Sequence, residues 1–259
     1  MKKQISVYLL ALVMLGCKKS GIDDPIMPTP KVMLPSITST RSLNANGHYV
    51  LQKHLYNTQG KLAQEISRDE TTGLELSQFY GYSNGILSYS DVSNGAKKVS
   101  KIDYILSGGK TSKMRYQTYD AMGNTELNFE RSLEYKDGSI YRIATILPNG
   151  DLGQYDVYAV LSGNVVSVKT YSASGTLLIT SSYEYDEKIN PYLGFPDKNQ
   201  SAIGYSRSNI LKSTNIDHRS GNATVIQGYS YDYNQKGQPV AMYSLTSNGQ
   251  KSLQTTFTY

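Results

Sequence analysis

Apolar and polar residues alternate in short runs along most of the chain. Ile102, Tyr104 and Leu106 share one face of a run whose other face carries Lys101 and Asp103. Ile179, Ser181, Tyr183 and Tyr185 line up in the same way, and Tyr229, Tyr231 and Tyr233 stand opposite Ser230, Asp232 and Asn234. A period of two marks half-buried strands, because successive side chains leave a strand on opposite sides. Helical spacing over a dozen residues is hard to find beyond the N-terminal apolar run.

Glycine punctuates these runs at Gly60, Gly73, Gly85, Gly95, Gly108, Gly123, Gly138, Gly150, Gly163 and Gly175, with gaps of 10 to 15 residues. Several are preceded by the residues that favour positive φ in hairpin turns, as in Asn84-Gly85, Asn94-Gly95, Asp137-Gly138, Asn149-Gly150 and Asn248-Gly249. A strand of about eight residues and a tight turn fill each gap. The pattern predicts an all-β domain, a long antiparallel meander of hairpins with about fourteen to sixteen strands, curled or closed into a partly open barrel.

A second pattern sits on the turns. Tyr56-Asn57-Thr58-Gln59-Gly60, Tyr119-Asp120-Ala121-Met122-Gly123, Tyr171-Ser172-Ala173-Ser174-Gly175 and Tyr233-Asn234-Gln235-Lys236-Gly237 each read tyrosine, a short oxygen-bearing residue, two variable positions and glycine. The ring is expected to close the packed face, the short side chain to bond turn amides, and glycine to take the left-handed position. These turns resemble the YD repeat of RHS-type bacterial surface proteins. The run over residues 48–259 is also similar to a family of bacterial lipoprotein domains with a porin-like fold. That resemblance implies an antiparallel, barrel-like sheet and carries over no catalytic residues.

The N-terminus adds a second part. Lys2 and Lys3 precede the apolar run Ile5–Leu15, which is too short and too basic at its start for a stable span and reads as an export signal. Its end, Met14-Leu15-Gly16-Cys17, resembles the lipobox of bacterial lipoproteins. The resemblance implies diacylglyceryl transfer to the Cys17 thiol, cleavage before it and acylation of the new amine, an anchor of several acyl chains. Residues 1–16 are thus read as signal peptide. Residues 17–47, with Pro25, Pro28, Pro30 and Pro35 among Ser, Thr and Lys, are read as an extended tether, and the single β domain as residues 48–259.

Composition narrows the function. The 23 tyrosines against 4 phenylalanines and no tryptophan suit a sheet face that packs its rings while keeping hydroxyls at water. The net charge of +5 falls to +3 without Lys2 and Lys3, and the basic residues are scattered, so nucleic acid is not expected as a partner. His48, His54 and His218 are too few and too separated for a catalytic or metal set, and each is expected to be a solvated surface residue. Asp69-Glu70 and Asp186-Glu187 sit beside turns. Gly108-Gly109-Lys110-Thr111-Ser112 lacks the upstream glycine of a phosphate-binding loop and is read as a turn.

Residues 187–212 break the rhythm. Pro191 and Pro196 exclude a regular central strand, so a loop with one short helical turn is expected, either covering an open end or serving function. With no catalytic motif, cofactor or metal set in view, the leading expectation is a lipoprotein of the outer membrane, on its periplasmic or cell-surface face. It would act as a non-catalytic binding or scaffolding module for a glycan or an envelope protein, held to the bilayer through Cys17. The alternatives are a hydrolase of envelope polysaccharide, a purely structural envelope protein, and a membrane-spanning barrel, the last suggested by the C-terminal Phe257-Thr258-Tyr259.

Overall fold

The computed structural model describes residues 36–196 and 202–259; the leader, Cys17 and the tether up to residue 35 lie outside them. Sixteen strands follow one another. The first eight are β1 (Ser39–Leu43), β2 (Tyr49–Tyr56), β3 (Leu62–Asp69), β4 (Glu75–Ser83), β5 (Ile86–Asn94), β6 (Lys97–Ser107), β7 (Lys110–Tyr119) and β8 (Thr125–Lys136). The second eight are β9 (Ser139–Ile146), β10 (Leu152–Leu161), β11 (Asn164–Ser172), β12 (Leu177–Ile189), β13 (Ser208–Asp217), β14 (Ala223–Tyr233), β15 (Pro239–Leu245) and β16 (Lys251–Thr258). Each pairs antiparallel with the next, and β1 pairs with both β2 and β16, so the sheet is a closed barrel.

Thr40, opposite Gln52 on one side and Phe257 on the other, marks the seam. β1 lies upstream of His48, within the stretch read as tether. Its Ser-Thr-Arg-Ser sequence carries no apolar alternation, yet Thr40 is buried and the edges of β2 and β16 supply the pairing that its composition does not advertise.

The turns work as their chemistry requires. Asn57 Oδ1 accepts from the amides of Gln59 and Lys61, Asp120 Oδ1 from Met122 and Asn124, and Asn234 Oδ1 from Lys236 and Gln238. At the end of the barrel where β1 begins, the two-residue turns Asn84-Gly85, Asp137-Gly138 and Ser162-Gly163 have positive φ at both positions, the arrangement whose twist matches antiparallel strands. Gly108-Gly109 is such a turn as well.

The shared tyrosine pattern splits in space. Tyr56 and Tyr233 close strands at the end where β1 begins, and their rings turn inward; Tyr119 and Tyr171 sit at the opposite end on the outer wall, where Tyr119 donates to Asp91 and Tyr171 stacks on Tyr155. A finer repeat governs the first end. Register shifts fall at Leu55/Tyr56, Gly81/Tyr82, Glu134/Tyr135 and Glu184/Tyr185. Each rotates the strand so that the tyrosine hydroxyl reaches a main-chain carbonyl one strand back. Tyr56 donates to Ile37 at 2.7 Å, Tyr82 to Leu62 at 2.8 Å, Tyr135 to Thr111 at 2.8 Å and Tyr185 to Val165 at 2.5 Å. Tyr259 makes the same bond to Pro239 at 3.0 Å.

The two walls divide the chemistry. Inward residues form two buried clusters, one around Tyr104, Met114, Leu133, Ile143, Tyr158 and Val165, the other around Ile37, Leu62, Tyr80, Phe195 and Phe257. Most tyrosines therefore fill the interior rather than an exposed sheet face, because closing the ribbon leaves its packed side nowhere else to point. The outer wall carries ion pairs: Arg115–Glu130 at 2.5 Å, Lys113–Glu130 at 2.8 Å, Lys101–Asp103 at 2.8 Å, Arg142–Glu134 at 2.7 Å and Lys212–Glu184 at 2.8 Å. Between them cations lie over outward rings, as Arg142 does over Tyr155 and Arg41 over Tyr49. A lipid-facing wall carries an apolar band, and charges at its midplane cost about 2–4 kcal/mol each. This wall mixes its charges with exposed apolar side chains such as Phe79, Ile105 and Leu211.

If the carbonyl-capping tyrosines hold the rim, Tyr82→Phe, which deletes only the hydroxyl, lowers stability by about 1 kcal/mol. Urea unfolding checks it, and an unchanged midpoint would dismiss the rim bonds as incidental.

Candidate functional site

Between β12 and β13, residues 190–196 and 202–207 form a plug. It leaves the sheet at Asn190, contains one helical turn, α1 (Ala202–Tyr205), and returns at Ser208, as the two prolines require. Its base is tied at several points. The Asn190 amide donates to the Arg207 carbonyl at 2.8 Å, Asn190 Nδ2 to the Ser206 carbonyl at 3.0 Å, and the Arg207 amide to Gly163 at 2.9 Å. Ser206, fully buried, accepts from the Val165 amide and meets the Tyr185 hydroxyl at 2.7 Å.

Asp186 clasps the exit: its carboxylate accepts from the Asn209 amide, from Asn209 Nδ2 and, through a short bond, from the Tyr233 hydroxyl. The aromatic pair of the plug reaches into the lumen. Phe195 stands edge-on to His54 at 5.1 Å, and Tyr192 packs on Phe257 at 5.8 Å.

Beneath the plug lies a cavity of about 630 Å³. Its wall comes from β12 to β16, where the period of two aims Tyr183, Ser213 and Asn215, then Tyr229 and Tyr231, inward. Met242, Gln254 and Phe257 complete the wall, and Pro191 and Tyr192 form its roof. Ser181 donates to Asn215 at 2.6 Å and Gln254 Nε2 to Ser244 at 3.0 Å, so the amides are partly engaged. The hydroxyls of Tyr229 and Tyr231 have no hydrogen-bond partner among the described residues. A second, smaller cavity of about 410 Å³ lies on the other side of the plug, between Phe195 and the rim tyrosines Tyr56, Tyr82 and Tyr135.

Burial controls the titration of these rings. Desolvation pushes Tyr183, Tyr192 and Tyr231 above the ordinary phenol range, helped by Asp156, Glu65 and Asp186 respectively. At the rim, burial pushes Tyr56 and Tyr185 up to about 12.

The histidines do not meet. His48 lies in the turn before β2, with Nδ1 at 3.1 Å from Asp69, and His218 bonds Thr180 and Asn222 beside the last turn of β13. His54 corrects the expectation of a solvated surface residue: it is 3% exposed, inside the barrel. The alternation of β2 turns it inward with Gln52, and Glu65 on β3 lies directly across from it, with Nδ1 to Oε2 at 3.2 Å. Gln52 donates to the other Glu65 oxygen at 2.9 Å and accepts from Thr40. Among the described residues no three His, Cys, Asp or Glu side chains converge as a metal set, and neither cavity is lined by a carboxylate.

The crystal structure of a porin-like protein from Bacteroides uniformis resembles the chain with a TM-score of 0.57, covering 87% of it and 98% of that protein at 14% identity. The fold is porin-like. A second porin-like protein, from Bacteroides vulgatus, covers 86% and 98% at 12% identity with a TM-score of 0.42. No family model and no curated protein matches the chain, and the likeness to solved structures is one of the barrel fold.

Asn209, Gln254 and the Asp186 clasp were not among the expected site residues, because each depends on strands far apart in sequence meeting across the lumen. Asn190 next to Pro191 was the available signal for the plug.

Two outcomes test this site. Phe195→Ala, which empties the buried seat of the plug, costs about 3–4 kcal/mol in chemical unfolding; a cost below about 1 kcal/mol would mean that the plug merely rests on the barrel. A tyrosine with a raised folded-state pKa contributes stability that is complete below its unfolded value near 10 and is lost as pH climbs toward about 12. At about pH 11 the folded chain therefore shows less phenolate absorbance than the urea-unfolded chain, and equal absorbance would refute the buried rings.

Proposed function

We propose that the protein is a lipid-tethered, non-catalytic binding module of the bacterial outer envelope that holds a small ligand inside its barrel. The observation that carries this reading is the cavity of about 630 Å³, roofed by the plug and walled by tyrosines, two of which present hydroxyls with no partner among the described residues. A volume of this size lies in the range of small-molecule sites, and aromatic walls with a few convergent polar groups are their usual lining.

The tether places the module. An acylated Cys17 followed by a proline-rich stretch hangs a water-facing barrel from a bilayer, and the charged outer wall supports that arrangement over insertion. The turn pattern is read as a YD-type repeat adapted to a closed barrel. A hydrolase needs two carboxyls about 5–10 Å apart across its substrate. Among the described residues neither cavity is lined by a carboxylate, and Glu65 is bonded to Gln52, Asp156 to Thr170 and Asp186 to Asn209.

The test is a thermal-shift screen of envelope saccharides and small polar metabolites on the full chain. Hits that raise the melting temperature of the native chain but not of Tyr229→Ala or Tyr231→Ala support the interior site; hits indifferent to both substitutions place binding elsewhere and end this reading. In parallel, Cys17→Ser moves the protein from the membrane to the soluble fraction, and mass spectrometry of the native chain finds an acylated N-terminal cysteine.

A further inference from the structure

The smaller cavity, of about 410 Å³, shares no lining residue with the larger one. It runs from turn residues at the rim, Gly60, Lys61 and Gly85, to side chains buried in the lumen, Tyr104, Met114 and Leu133. Among the described residues Lys61 is the one charged side chain that lines either cavity. Its Nζ donates to the Gly85 carbonyl through a short bond and lies 5.3 Å from the centre of the Tyr82 ring. An ammonium carries three donors, so this carbonyl leaves two for another acceptor. No carboxylate pairs with Lys61 among the described residues.

Inward of the ammonium the wall offers little to a polar ligand. Tyr56, Tyr82 and Tyr135 already donate their hydroxyls to the Ile37, Leu62 and Thr111 carbonyls. Leu87, Met114 and Leu133 add aliphatic wall, and Phe195 of the plug closes it. A cation fixed at the mouth of an apolar space divides a ligand in two. A negative group is held at the rim by a charge-assisted hydrogen bond, and the negative faces of the rings keep it from going deeper. An apolar chain leaves water for the wall, each buried methylene multiplying the affinity about fourfold. A cationic head meets Lys61 with the wrong sign, and a sugar finds the rim hydroxyls engaged.

We infer that this rim cavity is a second binding site, for a small amphiphile with one anionic head and an apolar tail. The head sits on Lys61, and the tail lies along Tyr82, Leu87, Met114 and Phe195. The site stands apart from the larger cavity, and each answers to its own test.

Isothermal titration uses the full chain carrying Cys17→Ser, so that neither an acyl anchor nor detergent competes for the cavity. The probes are hexanoate, octanoate, octanol and octylammonium. Octanoate binds about tenfold tighter than octanol, through the charged hydrogen bond, and about tenfold tighter than hexanoate, through two more methylenes. Octylammonium binds more weakly than octanol. Lys61→Met, which keeps the bulk of the side chain without its charge, lowers octanoate to the level of octanol, and Lys61→Arg stays within about threefold of the native chain. Lys110 makes the same two contacts at another turn, with the Gly138 carbonyl at 3.2 Å and the Tyr135 ring at 4.9 Å, but does not line the cavity. Lys110→Met therefore stays within about twofold, as a screened surface charge should.

Cooperative melting confirms the fold of each variant, and the comparison of probes on the unaltered lining needs no variant at all. Equal affinity for octanoate and octanol, or octanoate no tighter than hexanoate, overturns the inference. Octanoate binding that survives Lys61→Met, or that falls equally in Lys110→Met, overturns it as well, since the attraction then belongs to the surface at large. Failure of all four probes removes this site and leaves the larger cavity to be judged by the thermal-shift screen.

Discussion

The pairing of β1 with β16 is the constraint on which the rest depends. An open meander of these strands would have two faces in contact with water, and its tyrosines would lie along one of them. Closure removes the free edges and turns one face of every strand into a lumen. From then on the alternation of each strand is a decision between inside and outside, and in this chain tyrosine goes in while Lys, Arg, Asp and Glu mostly go out.

A tyrosine-filled lumen raises a second demand, because a buried hydroxyl without a partner costs about 1–3 kcal/mol. At one end the chain meets it by geometry. The bulge before Tyr56, Tyr82, Tyr135 and Tyr185 swings each hydroxyl onto a carbonyl at the start of the previous strand. β6 and β10 carry the same register shift, at Ile105/Leu106 and Ala159/Val160, but place Leu106 and Val160 where the tyrosine would be. The bulge is thus a property of the hairpin repeat, and the tyrosine is an occupant that the repeat positions.

The strands were legible because their causes are local: alternation, turn pairs and glycine spacing each act within a dozen residues. The inward run of Tyr229, Tyr231 and Tyr233 could be named as one face without knowing what it faced. What escaped was set by contacts between distant strands. Nothing in Ser39–Leu43 looks like a strand, and only the waiting edges of β2 and β16 make it one. His54 reads as a surface residue beside Lys53 until Glu65 and Phe195 are seen around it. The irregular segment was visible through Pro191 and Pro196, but its destination inside the barrel follows from the width of a sixteen-stranded lumen, which no local pattern encodes.

That width ties the plug to the cavity. Sixteen strands enclose more space than inward side chains fill, and in a membrane pore of similar strand number the remainder is an aqueous channel. Here the plug, anchored by Phe195 and Tyr192, occupies part of the lumen, and the space left against β12–β16 is the cavity. An empty apolar void would destabilise the barrel in proportion to its volume, whereas a polar one holds water bonded to the groups that line it. Tyr229, Tyr231, Asn215 and Gln254 give this void polar groups among its apolar lining. A ligand that displaces water from this void must replace the hydrogen bonds that those groups make to it. The groups that make the cavity tolerable when filled with water are therefore the ones that any occupant has to satisfy.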